Sequence, residues 1–468
     1  MHLYLLNSLS KKKELFIPLN QNSIKFYACG PTVYDKIHIG NARAMISYDI
    51  LYRILIFLYG KHQVIFVRNI TDIDDKIIKK SEETNISIAK LTENTINDFQ
   101  KDMEFLKVIP PTVEPKATEV VEDIINFIQI LLNKKYAYIS NNNVFFDVTK
   151  AKNYTMLSGR NLDELSCDIR IKNDPNKKQP NDFVLWKASN PDDPKDVIFS
   201  SPFGKGRPGW HIECSAMSYK YLGTDFDIHA GGMDLIFPHH TNEIAQSQSA
   251  FTGSNFARYW VHNAVLTVDQ QKMSKSLGNI ITVNDIRNSN IKADSLRLFF
   301  LNSHYRNNIN YCKKSLDDAH RTLSYWHNSL KKINYNYSNS SVTDIPKKFL
   351  ESILDNMNTS LAIKIINDHV KELNITNGNQ QQSLANMIIA SARFLGLMEE
   401  NYEQWFHNAQ TSEKKETLLS ITELIDKRNK ARKIEDWITA DKIRNILKEK
   451  YNITIEDNKD GTSNWKYI

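Results

Sequence analysis

From Lys25 to Gly30 the sequence KFYACG is apolar and β-prone. It runs into the turn residues PTVYDKIHIGNAR and then into the helix-like stretch AMISYDILYRILIFLYG. A strand, a glycine-containing loop and a helix in that order open a doubly wound parallel sheet. A second strand reads in HQVIFVRNIT, completing a βαβ unit with a nucleotide-sized crevice at the carboxyl edge of the sheet. The loop carries neither GxGxxG nor GxxxxGK[ST], so dinucleotide binding and P-loop hydrolysis are both disfavoured.

A chain of 468 residues is too long for one ordinary core, and about 100–200 residues per domain suggests about three. The pattern changes between about 108 and 200, where KVIPPTVEPKAT, the strand-like NNNVFFDV and the polar IKNDPNKKQPND read as an insertion splitting the nucleotide fold. The fold resumes at PGWHIECSAM and FDIHAGGMDLIFPHH and extends through the YWVHNAVLTV strand to a loop region at about 265–310. Residues 1–310 are thus expected to form a Rossmann-type α/β domain. After Tyr311 the pattern is that of amphipathic helices, as in SLDDAHRTLSYWHNSLKKI and SLAIKIINDHVKELN, and an α-helical bundle is expected over 311–408. A polar break, NAQTSEKKE, precedes a small C-terminal domain over 409–468.

Hydrophobic residues at 41% and charged residues at 24% are ordinary for a globular protein, which excludes disordered and fibrous classes. No apolar run reaches the roughly 18 residues that cross a bilayer. The opening MHLYLLNSLSKKKELFIP has its lysines after the short apolar stretch, unlike a secretory signal, so a cytoplasmic chain with no membrane partner is expected. The net charge of +6 is modest, but DKRNKARK and KEKYN concentrate basic residues near the C-terminus. Such a patch suits a phosphate-rich partner, against the alternative of solvated helix faces on a Lys-rich chain. Cys29, Cys167, Cys214 and Cys312 are widely spread, which favours reduced thiols or metal ligands over a disulfide framework.

Two short motifs carry chemistry. In HIGN, His38 to Asn41, the glycine lets a planar base approach the backbone, and the histidine can donate to phosphate oxygens as charge builds on them. In KMSKS, Lys272 to Ser276, two lysines in a loop followed by Gly278 can neutralise a triphosphate and its leaving pyrophosphate. Each motif has a structural reading, as a turn or a basic loop. Together, in this order, they resemble the HIGH and KMSKS signatures of class I aminoacyl-tRNA synthetases. The second histidine of HIGH is Asn41 here, which can still donate a hydrogen bond but carries no charge.

Cys29, Cys214, His239, His240 and Glu243, with His211, His229 and His262 nearby in sequence, offer thiolate, imidazole and carboxylate ligands of the kind zinc takes. His239 and Glu243 fall on one face if FPHHTNEIAQSQ opens a helix. No CxxC is present, and buried cysteines beside core histidines are the competing reading. The segments YACGPTVYD, GWHIECSAM and FPHHTNEIAQS resemble those that carry the zinc ligands of cysteinyl-tRNA synthetases.

That resemblance runs over essentially the whole chain. It implies one Zn²⁺ held by Cys29, Cys214, His239 and Glu243, selecting the thiol of L-cysteine over the hydroxyl of serine without an editing domain. His38, Lys272 and Lys275 become the expected catalytic residues. Gly40, Asn41, Asp234 and Lys275 are expected at ATP with its Mg²⁺, and Gly30, Thr71 and Trp210 at the amino acid. His229 and Asp234 are expected near the adenosine ribose or the amino group. The C-terminal segment would read the anticodon of tRNA(Cys) through Arg432, Trp437 and Asp441, against the alternative that Trp437 packs between helices. In the implied reaction the cysteine carboxylate attacks the ATP α-phosphate, and the terminal ribose hydroxyl of the tRNA then takes the cysteinyl group. A monomer is expected. The nearest alternative is a cysteine:amino-sugar ligase of the mycothiol type, disfavoured by the long basic C-terminal part. A zinc-stabilised RNA-binding protein without catalysis is disfavoured by the intact KMSKS.

Overall fold

The computed structural model describes residues 1–160, 174–274, 277–289, 291–407, 412–434, 436–451, 453–457 and 463–467. They divide into two units, Met1–Glu399 and Glu400–Ile468. The first begins with an antiparallel hairpin, β1 (Tyr4–Asn7) and β2 (Lys12–Leu15). Strand β3 (Ile24–Ala28), helix α1 (Ile39–Tyr59) and strand β4 (Val64–Arg68) follow as the expected βαβ unit, with Phe26 opposite Phe66 in parallel register. Both strands are buried along most of their length, the usual reason for parallel strands to read as apolar runs without alternation.

Helices α2 (Asp75–Thr84), α3 (Ile88–Phe105) and α4 (Val121–Asn133) come next. The insertion is expected from the sequence over about 108–200. Residues 112–116 run beside β4, with Val113 N–H donating to Phe66 O at 3.1 Å and Ile70 N–H to Pro115 O at 2.8 Å. Val121, Ile124 and Phe127 of α4 share one core with Tyr27 and Val67 of the main sheet and with Val144, Phe146 and Leu185. The separate antiparallel sheet is β5 (Ala137–Ser140), β6 (Asn143–Phe146), β7 (Phe183–Ala188) and β8 (Gly206–Pro208), in sequential order.

The chain returns through α5 (Trp210–Leu222), β9 (Asp225–Gly232), α6 (Thr241–Ala250) and β10 (Phe256–Asn263). The main sheet has the order β10-β9-β3-β4, all parallel. Since β4 and β9 lie on opposite sides of β3, the winding reverses there, and the crevice of an open α/β sheet forms at such a reversal. Cys29 leaves β3 at this point, and Gly231 and Gly232 end β9 beside it.

Beyond the sheet come β11 (Leu266–Val268), β12 (Gln271–Lys272), α7 (Val283–Arg287), α8 (Ala293–Leu301) and β13 (Ile309–Tyr311). The helical part contains α9 (Lys313–Lys332), α10 (Lys347–Leu354), α11 (Thr359–Ile375) and α12 (Asn379–Phe394). One buried ion pair ties it to the nucleotide fold. Asp49 of α1 pairs with Arg297 of α8 and with Arg53 Nε at 2.7 Å, and Arg297 also donates to Leu395 O at 2.6 Å. Burial pushes the Asp49 carboxyl up, but Arg297 and Arg53 outweigh it and hold it below its usual range. Its folded value is depressed, so the pair adds stability above the ordinary carboxylate range and loses it as pH falls through that depressed value. Breaking one half of such a pair costs about 3–5 kcal/mol. Gly396 is required beside it: with φ at +69°, a Cβ there would lie 2.7 Å from the Arg297 guanidinium.

The second unit contains α13 (Tyr402–His407), α14 (Ser412–Lys433), α15 (Trp437–Tyr451) and the antiparallel pair β14 (Ile453–Asp457) and β15 (Ser463–Tyr467). Ile421, Ile425, Ile443, Leu447 and Ile453 form its core. It begins at Glu400, so α13 belongs to it and not to the bundle expected over 311–408. Among the described residues no helix is long and apolar enough to cross a membrane.

Candidate functional site

At the carboxyl end of β3 four side chains converge from three elements. Cys29 follows the strand, Cys214 comes from the second turn of α5, and His239 and Glu243 come from the kinked entry to α6 and its first turn. All four are buried, and their ligand atoms lie within 4.8 Å of one another. Two thiolates on a tetrahedral ion with bonds of about 2.3 Å sit about 3.8 Å apart, and Cys29 Sγ and Cys214 Sγ are 3.8 Å apart. His239 Nε2 is 3.1 Å from Glu243 Oε1, and Cys29 Sγ is 3.6 Å from the same oxygen. Two soft sulfurs, an imidazole and a carboxylate form a donor set that zinc takes, so these residues fit the ion that the sequence implies.

A second set, Cys29, His229, His240 and Glu243, is also close enough to hold an ion. Its His229 is engaged through Nε2, whereas His240 uses Nδ1 and keeps Nε2 3.4 Å from Cys29 Sγ. His229 Nε2 meets Glu243 Oε2 at 2.8 Å, and His240 Nδ1 meets His262 Nε2 at 2.8 Å. The first set uses Glu243 Oε1 and leaves the His229 contact intact, which favours it. His229 then orients the carboxylate from behind, as outer partners of metal ligands do. The sequence places His229 near the adenosine ribose or the amino group; the structure encloses it completely, stacked on Trp260 at 4.5 Å, because β9 carries it into the core.

Burial sets the charge state of this cluster. It pushes the Cys29 thiol up, with Cys214 and Glu243 adding to the rise. It also pushes the Glu243 carboxyl up, against the Cys29 hydrogen bond, and pulls the His239 and His240 imidazoles down. The His229 and His262 imidazoles are pulled down to about 3 by the same cause. The enclosed cluster thus favours neutral side chains; a bound cation would reverse this for the Cys29 thiol and the Glu243 carboxyl and would keep the imidazoles neutral.

His38 lies further along the same loop, at the N-cap of α1. Its Nδ1 accepts from Asn41 N–H at 3.2 Å, and Asn41 Oδ1 accepts from His38 N–H at 3.2 Å. Asn41 thereby closes a capping box, a task that the sequence reading missed. An i, i+3 polar pair at a helix start was the available signal. With Nδ1 accepting, the His38 proton sits on Nε2. Burial pulls this imidazole down, with the Asp234 carboxylate opposing, so it is neutral near pH 7. Burial pushes the Tyr48 hydroxyl of α1 up, with Cys29 and Asp234 adding to the rise.

The structure also brings HIGN and the start of KMSKS together. Ile39 N–H donates to Ile281 O at 2.9 Å, and a Cβ on Gly40 would lie 3.0 Å from Met273 Cε. Lys272 is exposed on β12, opposite Thr267. Lys275 lies outside the described residues.

Of the residues expected at the amino acid, Gly30 sits where the chain leaves β3, and a Cβ there would lie 1.6 Å from Asn69 O. Trp210 is 38% exposed and stacks on His239 with centroids 4.3 Å apart, covering one ligand. Thr71 is buried, and its hydroxyl donates to Glu213 Oε2 at 3.0 Å. Glu213, next to Cys214, is fully enclosed and was not singled out from the sequence; burial pushes its carboxyl well up.

In the second unit, Arg432 closes α14, and Trp437 and Asp441 lie in the first turns of α15. Trp437 is 57% exposed, which removes the reading that it packs between helices.

Residues 15–321 match the model of the tRNA synthetases class I (C) catalytic domain. The Cysteine–tRNA ligase of Rickettsia felis is 50% identical over 467 residues, covering 99% of this chain and 98% of that protein. Its counterpart from Rickettsia prowazekii is 50% identical over 467 residues, with 100% of both covered. Among solved structures, the LeuRS–tRNA–LeuAMS ternary complex of Agrobacterium radiobacter K84 shares the fold with a TM-score of 0.59 at 10% identity, over 85% of this chain and 86% of that one. Mycobacterium tuberculosis methionyl-tRNA synthetase with methionyl-adenylate does so with a TM-score of 0.54 at 14% identity, over 82% and 93%.

Proposed function

This chain belongs to the cysteine–tRNA ligase family of class I tRNA synthetases and is a ligase, and from that premise we propose that it activates L-cysteine with ATP and passes it to tRNA(Cys). The observation that carries this reading is the buried cluster of Cys29, Cys214, His239 and Glu243 beside the His38 loop. Zinc held by these four residues supplies a soft acid that takes a thiolate far more readily than a hydroxyl, which separates cysteine from serine. Trp210 shields the His239 side of that pocket, and Gly30 follows Cys29 where the Asn69 backbone leaves no room for a side chain.

In the first step the cysteine carboxylate oxygen bonds to the ATP α-phosphorus as the bond to the β-phosphate bridging oxygen breaks, and pyrophosphate leaves with Mg²⁺. The His38 Nε2–H donates to the charge that builds on the α-phosphate, with the imidazole fixed in that tautomer by Asn41 N–H. Lys272 and Lys275 neutralise the leaving pyrophosphate, while Gly40 admits the adenine and Asp234 takes part in holding ATP beside His38. In the second step a terminal ribose hydroxyl of the tRNA attacks the adenylate carbonyl, and AMP leaves with its phosphate. Arg432, exposed Trp437 and Asp441 supply phosphate contact, base stacking and a hydrogen-bond acceptor for the anticodon loop. A chain that gave cysteine to an amino sugar would have no use for that unit.

The test is cysteine-dependent ATP–pyrophosphate exchange by the intact chain. Exchange is expected with cysteine and to be at least about 10³-fold weaker with serine, following the rejection achieved by sites built for one group. Equal exchange with both amino acids, or none with cysteine, rejects the proposal.

A further inference from the structure

Residues Ile281 to Val283 brace the His38 loop. His38 bridges antiparallel to Thr282, Ile39 N–H donates to Ile281 O at 2.9 Å, and Val283 N–H donates to Ile37 O at 3.0 Å. Val283 opens α7, a helix of five residues, too short to fix its own direction. Its far end reaches α3. Arg287 Nε lies 3.2 Å from Asp102 Oδ1, and Arg287 Nη2 lies 4.0 Å from Asp98 Oδ1.

Asp102 is 0% exposed, and among the described residues its carboxylate oxygens have no hydrogen-bond partner besides the Arg287 Nε contact at 3.2 Å. Nothing in the mechanism above uses this carboxylate. An enclosed acid costs stability unless a counter-charge offsets it, and here that counter-charge is on the helix that braces His38.

We propose that Asp102, assisted by Asp98, is a positioning residue for His38: it holds Arg287, and through α7 it keeps residues 281–283 against the His38 loop. The inference rests on the reading of His38 as the donor to the α-phosphate. A misplacement of about 1 Å at such a donor can cost about 10²-fold in rate, so a distant grip on α7 is felt in the chemistry. Burial pushes the Asp102 carboxyl up to about 6, with Asp98 of the same helix adding to the rise, while Arg287 of α7 and Lys36 of the loop before His38 oppose it. The grip is therefore present above about pH 6 and lost as acid protonates Asp102.

Asp102→Asn keeps the shape and removes the charge. In cysteine-dependent exchange at pH 7.5 it is expected to lower kcat about 10-fold, with KM for cysteine within about twofold of the parent, as expected for a displaced donor. The parent's kcat is expected to fall as pH drops through about 6, and that fall is expected to be absent in Asp102→Asn. Amide hydrogen exchange at Ile39 and Val283 is expected to quicken about tenfold in Asp102→Asn and Arg287→Gln, and Arg287→Lys is expected to recover most of both losses. Parental kcat in Asp102→Asn overturns the proposal. So does a loss in which Ile39 and Val283 stay protected, or in which KM for cysteine rises in step. If Asp102→Asn does not fold, Asp98→Asn takes its place, with a smaller shift in the same direction expected and parental behaviour overturning the proposal. An inactive parent rejects the function proposed above, while amide exchange still decides whether α3 holds the brace.

Discussion

Replacing Cys214 by serine is expected to lower kcat/KM for cysteine in ATP–pyrophosphate exchange by about 10³-fold. The enclosed set loses one of two sulfurs that stand 3.8 Å apart, and a serine hydroxyl is a hard ligand that stays protonated where a thiol gives its proton to a cation. Leaving a buried ion short of one charged partner costs about 3–5 kcal/mol, and about 4 kcal/mol corresponds to about 10³ in rate. Cys214 is 1% exposed on a packed helix, and serine is slightly smaller than cysteine, so the fold is expected to persist. KM for ATP should change little, because the His38 end of the site is untouched. Metal analysis gives the independent readout: about one zinc per chain in the parent, and well under that after the substitution. Undiminished exchange with full zinc content would remove Cys214 from the set.

The second large effect is expected at His38. His38→Ala removes a donor that the capping box presents to the α-phosphate, and loss of one such donor costs about 10²–10³ in kcat. The substitution also removes a helix cap, a loss of about 1 kcal/mol that a helix of 21 residues, buried on most sides, can absorb. Zinc content and KM for cysteine are expected to stay at parental values, which separates this effect from that of Cys214→Ser. A kcat within threefold of the parent would mean that His38 serves α1 alone.

The sheet and the two motifs were readable in the sequence for physical reasons. Parallel strands buried along most of their length leave the apolar runs KFYA and VIFVR, and a glycine-bearing loop between strand and helix leaves HIGN. The candidate metal set was not readable from spacing, because Cys29, Cys214 and the pair His239 and Glu243 come together only when β3, α5 and α6 with its kinked entry meet at the edge of the sheet. Resemblance to known segments supplied those four positions. The enclosed His229 and Glu213 lay in plain view beside recognised motifs, but side-chain direction on β9 and α5 depends on packing that one sequence does not display. Residues 112–116, inside the stretch expected to be the insertion, lie along the sheet edge through backbone bonds, which need no particular side chains and leave no mark in the sequence. The Asp102–Arg287 contact joins residues far apart in the chain and has no local signature.

The most direct measurement is attachment of radiolabelled cysteine to purified tRNA bearing a GCA anticodon, with ATP and the zinc-loaded intact chain. The account predicts charging of that tRNA with cysteine, none with serine, and none on a tRNA with a different anticodon. Cysteine-dependent pyrophosphate exchange without any charging, or cysteine delivered to an amino sugar instead, would contradict it.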